Sequence, residues 1–134
     1  MKKTAWQMVE EAETEIVTLS PQEALELQEK DAAVLVDIRD IRELGKVGRI
    51  PGAVHAPRGM LEFWVDPQSE YYRDVFGQTG KTYILFCAAA GRSALATRDL
   101  QNMGFGPVAH VAGGFSRWKD EGLPIDLPDS GGKA

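Results

Sequence analysis

The chain has 134 residues, 43% of them apolar, with one cysteine, two histidines and a net charge of −5 from 15 basic and 20 acidic residues. That length suits one domain with a buried core, and the ordinary apolar content excludes a globally disordered chain. One cysteine excludes an internal disulfide and a cysteine-rich zinc site, and two histidines are too few for a histidine-built metal site.

The acidity is local. Residues 1–31 carry eight acids against three bases, whereas residues 32–134 carry twelve of each. The balance argues against nucleic acid or an anionic membrane as a partner. Lys2 and Lys3 precede Glu10, Glu11, Glu13 and Glu15, where a secretory leader needs an apolar run. No apolar stretch approaches membrane-spanning length, so a cytoplasmic protein with a reduced thiol is expected.

Ala5, Met8, Val9, Ala12 and Ile16 recur at three- and four-residue steps and predict an N-terminal helix that packs on its own domain. Ser20-Pro21-Gln22-Glu23 is a helix start, with Ser20 as cap, Pro21 at the first helical position and Glu23 completing a capping box. Ala33-Val34-Leu35-Val36-Asp37-Ile38 is a nearly unbroken apolar run and predicts a strand covered on both faces. A short helix around Asp40–Leu44, a glycine-punctuated turn over 45–52 and a strand over 53–56 follow. Residues 58–78 are too apolar for a linker and predict short helices and loops.

Thr82–Phe86 predicts the third strand, ending at Cys87. A small-residue loop over 87–92 leads into a helix from Ser93 to Met103, whose buried face is expected to carry Ala96, Leu100 and Met103. Val108–Val111 predicts a further strand. Gly113-Gly114 breaks it before a last helix over Phe115–Glu121 with Trp118 in the core. Strands alternating with helices predict an α/β domain with a mainly parallel central sheet flanked by helices on both faces. The expected organisation is an N-terminal helical extension (1–15), one domain (16–127) and a flexible tail (128–134).

Reactive groups in parallel sheets gather at the carboxyl ends of strands, and Cys87 lies at such an end. The loop Cys87-Ala88-Ala89-Ala90-Gly91-Arg92 has no bulky side chain before Arg92, so its amides can curl inward as an anion nest. The next helix adds a positive dipole end and Arg92 a full charge; each favours thiolate over thiol. Residues 81–119 hold five bases against Asp99 alone, a net of +4 that would attract an anionic substrate. An inert core cysteine is the rival reading, and the strand-end position, the loop and the arginine together outweigh it. Ser93 is read first as a helix cap. Asp37 and Arg39 read as a buried ion pair with Glu43 as a further candidate member, His55 as a sheet-edge or loop hydrogen bond, and His110 as structural. Phe63 and Trp64 either roof the Cys87 pocket or fill the core.

Three stretches resemble the rhodanese family of sulfurtransferases. They are Val36-Asp37-Ile38-Arg39 with Glu43 and Gly48–His55; Cys87 through Arg92-Ser93; and Val111–Trp118 with Gly122-Leu123-Pro124. The resemblance covers about residues 16–126 and is closest to the single-domain form. It departs at Arg49, where the family usually has His, and at Ala90, where the loop more often has Gly; Gly91 is expected to take over the permissive backbone role. The resemblance implies that Cys87 takes a sulfur from thiosulfate or a similar anionic donor as a persulfide and passes it to cyanide, a small thiol or a protein thiol. It implies no cofactor. The amides of Ala88, Ala89, Ala90, Gly91 and Arg92 would hold the anionic sulfur, and Arg92 and Arg58 would attract the donor. The rivals are a rhodanese-fold cysteine phosphatase, an arsenate reductase and a non-catalytic binding module. The phosphatase pattern places five residues between Cys and Arg, whereas four stand here.

Overall fold

The computed structural model describes residues 1–128; the tail expected at the C-terminus lies, from residue 129 on, outside the described residues. Five strands form the sheet: β1 (Val17–Leu19), β2 (Ala33–Asp37), β3 (Val54–His55), β4 (Thr82–Phe86) and β5 (Val108–Val111). Their spatial order is β1-β5-β4-β2-β3 and every pairing is parallel. Among the described residues six α-helices accompany them: α1 (Ala5–Glu13), α2 (Pro21–Glu29), α3 (Ile41–Val47), α4 (Leu61–Val65), α5 (Gly91–Met103) and α6 (Gly114–Asp120). None of the described helices is long and apolar enough to cross a membrane.

Local chemistry explains the element starts. The Glu23 amide donates to Ser20 Oγ (3.0 Å) and the Ser20 amide to Glu23 Oε1 (2.8 Å), so α2 begins on a reciprocal box with Pro21 behind it. The same device starts α1 at Thr4 and α3 at Asp40. Asp40, beside the Arg42 side chain and amide, has its pKa lowered to about 2, so this cap remains charged in mild acid.

The central strands are buried on both faces because helices cover both. Val34, Val36, Tyr83, Leu85 and Cys87 face one layer with Leu61, Val65, Ala96 and Leu100. Leu35, Ile84 and Phe86 face the other with Ala24, Ile50, Phe115 and Trp118. Strand alternation thus sends successive residues into two separate cores. Val9 and Ala12 of α1 pack on Ala94 of α5, which joins the N-terminal helix to the domain.

One expectation is corrected, and one element is added. Met103 is 47% exposed, because α5 buries only Ser93, Ala94, Ala96, Thr97 and Leu100 before its last turn leaves the sheet. Strand β1 was not anticipated: Val17-Thr18-Leu19 is three residues long and pairs only with β5 at the sheet edge.

Candidate active site

The carboxyl ends of β2, β4 and β5 bring residues 38–40, 87–90 and 112–113 to one edge of the sheet. Cys87 sits there in the middle, 1% exposed and unpaired. Its sulfur accepts a hydrogen bond from the Ser93 amide at 3.3 Å, in the first turn of α5.

The loop takes its shape from α6. The Phe115 amide donates to the Cys87 carbonyl (2.8 Å) and the Ser116 amide to the Ala88 carbonyl (3.0 Å). In a planar trans peptide, C=O and N–H point in opposite directions. Tying these carbonyls to α6 therefore turns the Ala88 and Ala89 amides to the other side. The Ala90 carbonyl is likewise held by the Ala94 amide (3.0 Å) and Ser93 Oγ (3.2 Å). Among the described residues, the amides of Ala88, Ala89, Ala90 and Gly91 meet no protein acceptor. Unpaired donors grouped beside a cysteine at a helix start form a receptor for negative charge.

Two glycines permit this arrangement. A Cβ on Gly114 would stand 2.5 Å from the Cys87 carbonyl oxygen and 2.7 Å from that of Ala88, and its φ is +61°. Only glycine lets α6 come close enough to hold the loop. Gly91 has another role. A Cβ there would lie 3.0 Å from the Trp6 ring, so the residue makes room for α1 to rest on the loop. The left-handed residue is Ala90 (φ +81°), not Gly91. The expectation that Gly91 takes over the permissive role is thus corrected. Ala90 bears the strain itself, at a cost of about 1–2 kcal/mol.

Arg92 lies at the loop's outer end, exposed, and donates two bonds to Glu43 of α3 (2.8 and 3.0 Å). Glu43 raises the Arg92 pKa above its ordinary value, with a smaller contribution from the Cys87 sulfur, and Arg92 in turn lowers that of Glu43. Glu43 therefore belongs with Arg92 and not with the pair that the sequence suggested. That pair is Asp37–Arg39 alone: Arg39 Nε and Nη2 donate to the Asp37 carboxylate (2.9 and 2.7 Å), and Nη2 also donates to the Gly48 carbonyl (2.9 Å). Both residues are buried, and the guanidinium lies 4.2 Å from the Phe115 ring centre. It thereby braces the start of α6, which shapes the loop.

The remaining predicted positions divide. Arg58 donates to Glu62 (2.8 Å) and Asp99 (2.7 Å), so it is engaged by two carboxylates. His55 Nε2 donates to the Arg39 carbonyl (2.7 Å), at the sheet edge. Phe63 is exposed and edge-on to Tyr71, and Trp64 packs on the core with Arg73 stacked 3.8 Å from its ring centre. A cleft of about 490 Å³ lies beside the loop, lined in part by Arg39, Glu43, Lys46, Ala88, Ser116 and Lys119. A hollow of about 520 Å³ at the opposite, amino-terminal end of β4 and β5 contains neither the cysteine nor a histidine.

His110 on β5 is fully buried. Its Nδ1 is 2.9 Å from Ser93 Oγ, its Nε2 is 3.1 Å from Thr18 Oγ1, and Glu13 is 3.9 Å from Nε2. Burial lowers its pKa from 6.5 to about 4, so the ring is neutral at neutral pH. The unfolded chain then takes up this proton at a higher pH than the folded chain does. The native state is therefore expected to lose roughly 3 kcal/mol as pH falls from about 6.5 to about 4, with no contribution from this group above that window. Denaturant titrations at intervals across this range check it, and His110→Asn should flatten the slope.

The rhodanese-like domain profile matches residues 20–121. An uncharacterized Synechocystis protein, slr1261, is 35% identical over 109 residues; the match covers 81% of this chain and 55% of that protein, so the chain spans about half its length. The thiosulfate sulfurtransferase GlpE of Glaesserella parasuis is 34% identical over 119 residues, covering 89% of this chain and 98% of that one. A solved Rhodopseudomonas palustris structure, of a protein of unknown function called a possible tyrosine phosphatase, is 44% identical. It superposes with a TM-score of 0.88, covering 94% of this chain and 96% of that one.

Proposed function

The chain belongs to the rhodanese-like domain family, and on that premise we propose that it is a sulfurtransferase working through a persulfide on Cys87. The observation that carries the reading is the set of amides from Ala88 to Gly91 without protein acceptors, grouped around the one cysteine. An inert core cysteine has no use for such donors, whereas an anionic persulfide does.

The Cys87 thiolate attacks the outer sulfur of thiosulfate. A new S–S bond forms, the old one breaks, and sulfite leaves with its electron pair. The outer sulfur of the persulfide carries the negative charge, which the loop amides and the Ser93 amide stabilise. Cyanide or a thiolate then attacks that sulfur, and the Cys87 thiolate departs. Arg92 attracts the oxyanion end of the donor by exchanging part of its bond to Glu43. Arg58 contributes little to that attraction, because Glu62 and Asp99 already compensate its charge. With one cysteine in the chain, the bound sulfur must leave to an external acceptor, which fits a small thiol, cyanide or a protein thiol.

The test is intact-mass spectrometry after thiosulfate treatment, followed by a cyanide chase. A gain of one sulfur atom, mapped to Cys87 and removed by cyanide, is the expected result. The Rhodopseudomonas palustris protein's name makes a phosphatase the second reading. Four residues between Cys87 and Arg92 make a tight loop, better suited to one sulfur atom than to a tetrahedral phosphoryl group. Turnover of an aryl phosphate with none of thiosulfate overturns the sulfurtransferase reading.

A further inference from the structure

We propose that Ser93 and His110 are positioning residues that hold the Cys87 loop in its anion-binding shape by pinning Ala90 in the left-handed conformation. The proposal rests on the sulfurtransferase reading only where turnover is measured, because it concerns the shape of the loop.

Ala90 is the residue where the loop must turn into α5, and its φ of +81° is disfavoured by its own Cβ. Such a conformation persists only where the surroundings enforce it. The enforcing bonds are on the Ala90 carbonyl: Ser93 Oγ at 3.2 Å and the Ala94 amide at 3.0 Å. The direction of this carbonyl matters, because the Gly91 amide lies in the same peptide plane and points the opposite way. Releasing the carbonyl would let the plane rotate and swing one donor out of the cradle.

Ser93 Oγ needs orienting to do this. It is fully buried, and its second partner is His110 Nδ1 at 2.9 Å. A neutral ring with its proton on Nδ1 donates to Ser93 Oγ, leaving the hydroxyl proton free for the Ala90 carbonyl. The Ala90 carbonyl can only accept, which fixes this tautomer, and Nε2 then accepts from Thr18 Oγ1 at 3.1 Å. A single chain of bonds thus runs from β1 through β5 to the strained residue. Its start, Thr18, precedes the 20–121 span of the family match. The Ser93 amide bond to Cys87 is separate, since it belongs to the backbone and survives replacement of the hydroxyl.

The idea predicts a specific coupling. Glycine adopts the left-handed conformation without help, so Ala90→Gly should make the pin dispensable. The experiment is a double-mutant cycle of Ser93→Ala with Ala90→Gly, repeated with His110→Leu. The readout is the iodoacetate alkylation rate of Cys87, which reports anion access whether or not the protein transfers sulfur; thiosulfate turnover is the second readout. Ser93→Ala and His110→Leu should each slow alkylation about tenfold with Ala at 90, and by no more than about twofold with Gly at 90. His110→Asn, whose amide can take the place of Nδ1, should fall between. Thermal unfolding of every variant separates loss of fold from loss of loop shape. If Ala90→Gly changes the rate by the same factor with and without Ser93, the two positions are uncoupled and the proposal is overturned. A wild-type protein that gains no sulfur from thiosulfate yet shows the alkylation coupling overturns the proposed function and leaves this inference supported.

Discussion

Cys87→Ser is expected to abolish sulfur transfer from thiosulfate, with turnover falling on the order of 10³-fold or more. The hydroxyl replaces the nucleophile with little change in volume, so the loop amides, α6 and the Arg92–Glu43 pair should all stay in place. Circular dichroism and thermal unfolding should therefore match the parent. The comparison is steady-state thiocyanate formation from thiosulfate and cyanide. Full turnover by Cys87→Ser would remove the cysteine from the mechanism, because no other thiol exists in the chain.

Arg39→Met is expected to cost about 3–5 kcal/mol of folding stability. The substitution strands the Asp37 carboxylate in a site where both partners are buried, removes a donor to the Gly48 carbonyl and deletes the cation over Phe115. The loss should appear as a shift in the urea midpoint with an unchanged slope. Asp37→Asn combined with Arg39→Met should recover much of it, since no uncompensated charge then remains. A single substitution that costs less than about 1 kcal/mol would show that the pair is hydrated in solution. Because Phe115 sits where α6 holds the loop carbonyls, the single variant should also lose activity before it unfolds.

Much of the fold was legible because its signals are local. The unbroken apolar runs of β2 and β4 reflect strands covered by helices on both sides, and the Ser20–Glu23 box appears as the sequence pattern itself. β1 was not legible, since three residues at a sheet edge have no periodicity of their own and pair only through β5. The small-residue loop after Cys87 was readable as an anion nest, because the absence of side chains is a sequence property. What turns its amides inward was not, since those bonds come from α6, 28 residues further on. The Ser93–His110–Thr18 chain was missed for the same reason. Ser93 reads as a cap and His110 as a buried strand residue, and only the β1–β5 pairing brings Thr18 to the ring. Glu43 reads as a candidate third member of the Asp37–Arg39 pair because Arg39 is near in sequence, whereas Arg92, at the start of α5, is the cation that bonds it.

Trp6 contributes a property beyond packing. Its indole rests on Gly91, yet the residue is 63% exposed, while Trp118 is sealed in the core. Of the tryptophans, Trp6 is the one whose emission should change when the thiolate becomes a persulfide, because the negative charge then moves outward onto an added polarisable sulfur in the loop the ring touches. Loading and unloading of Cys87 should thus be visible as a fluorescence change in the unlabelled protein, absent from Trp6→Phe. On the proposed persulfide cycle, the N-terminal helix would give the molecule an optical gauge of Cys87 loading.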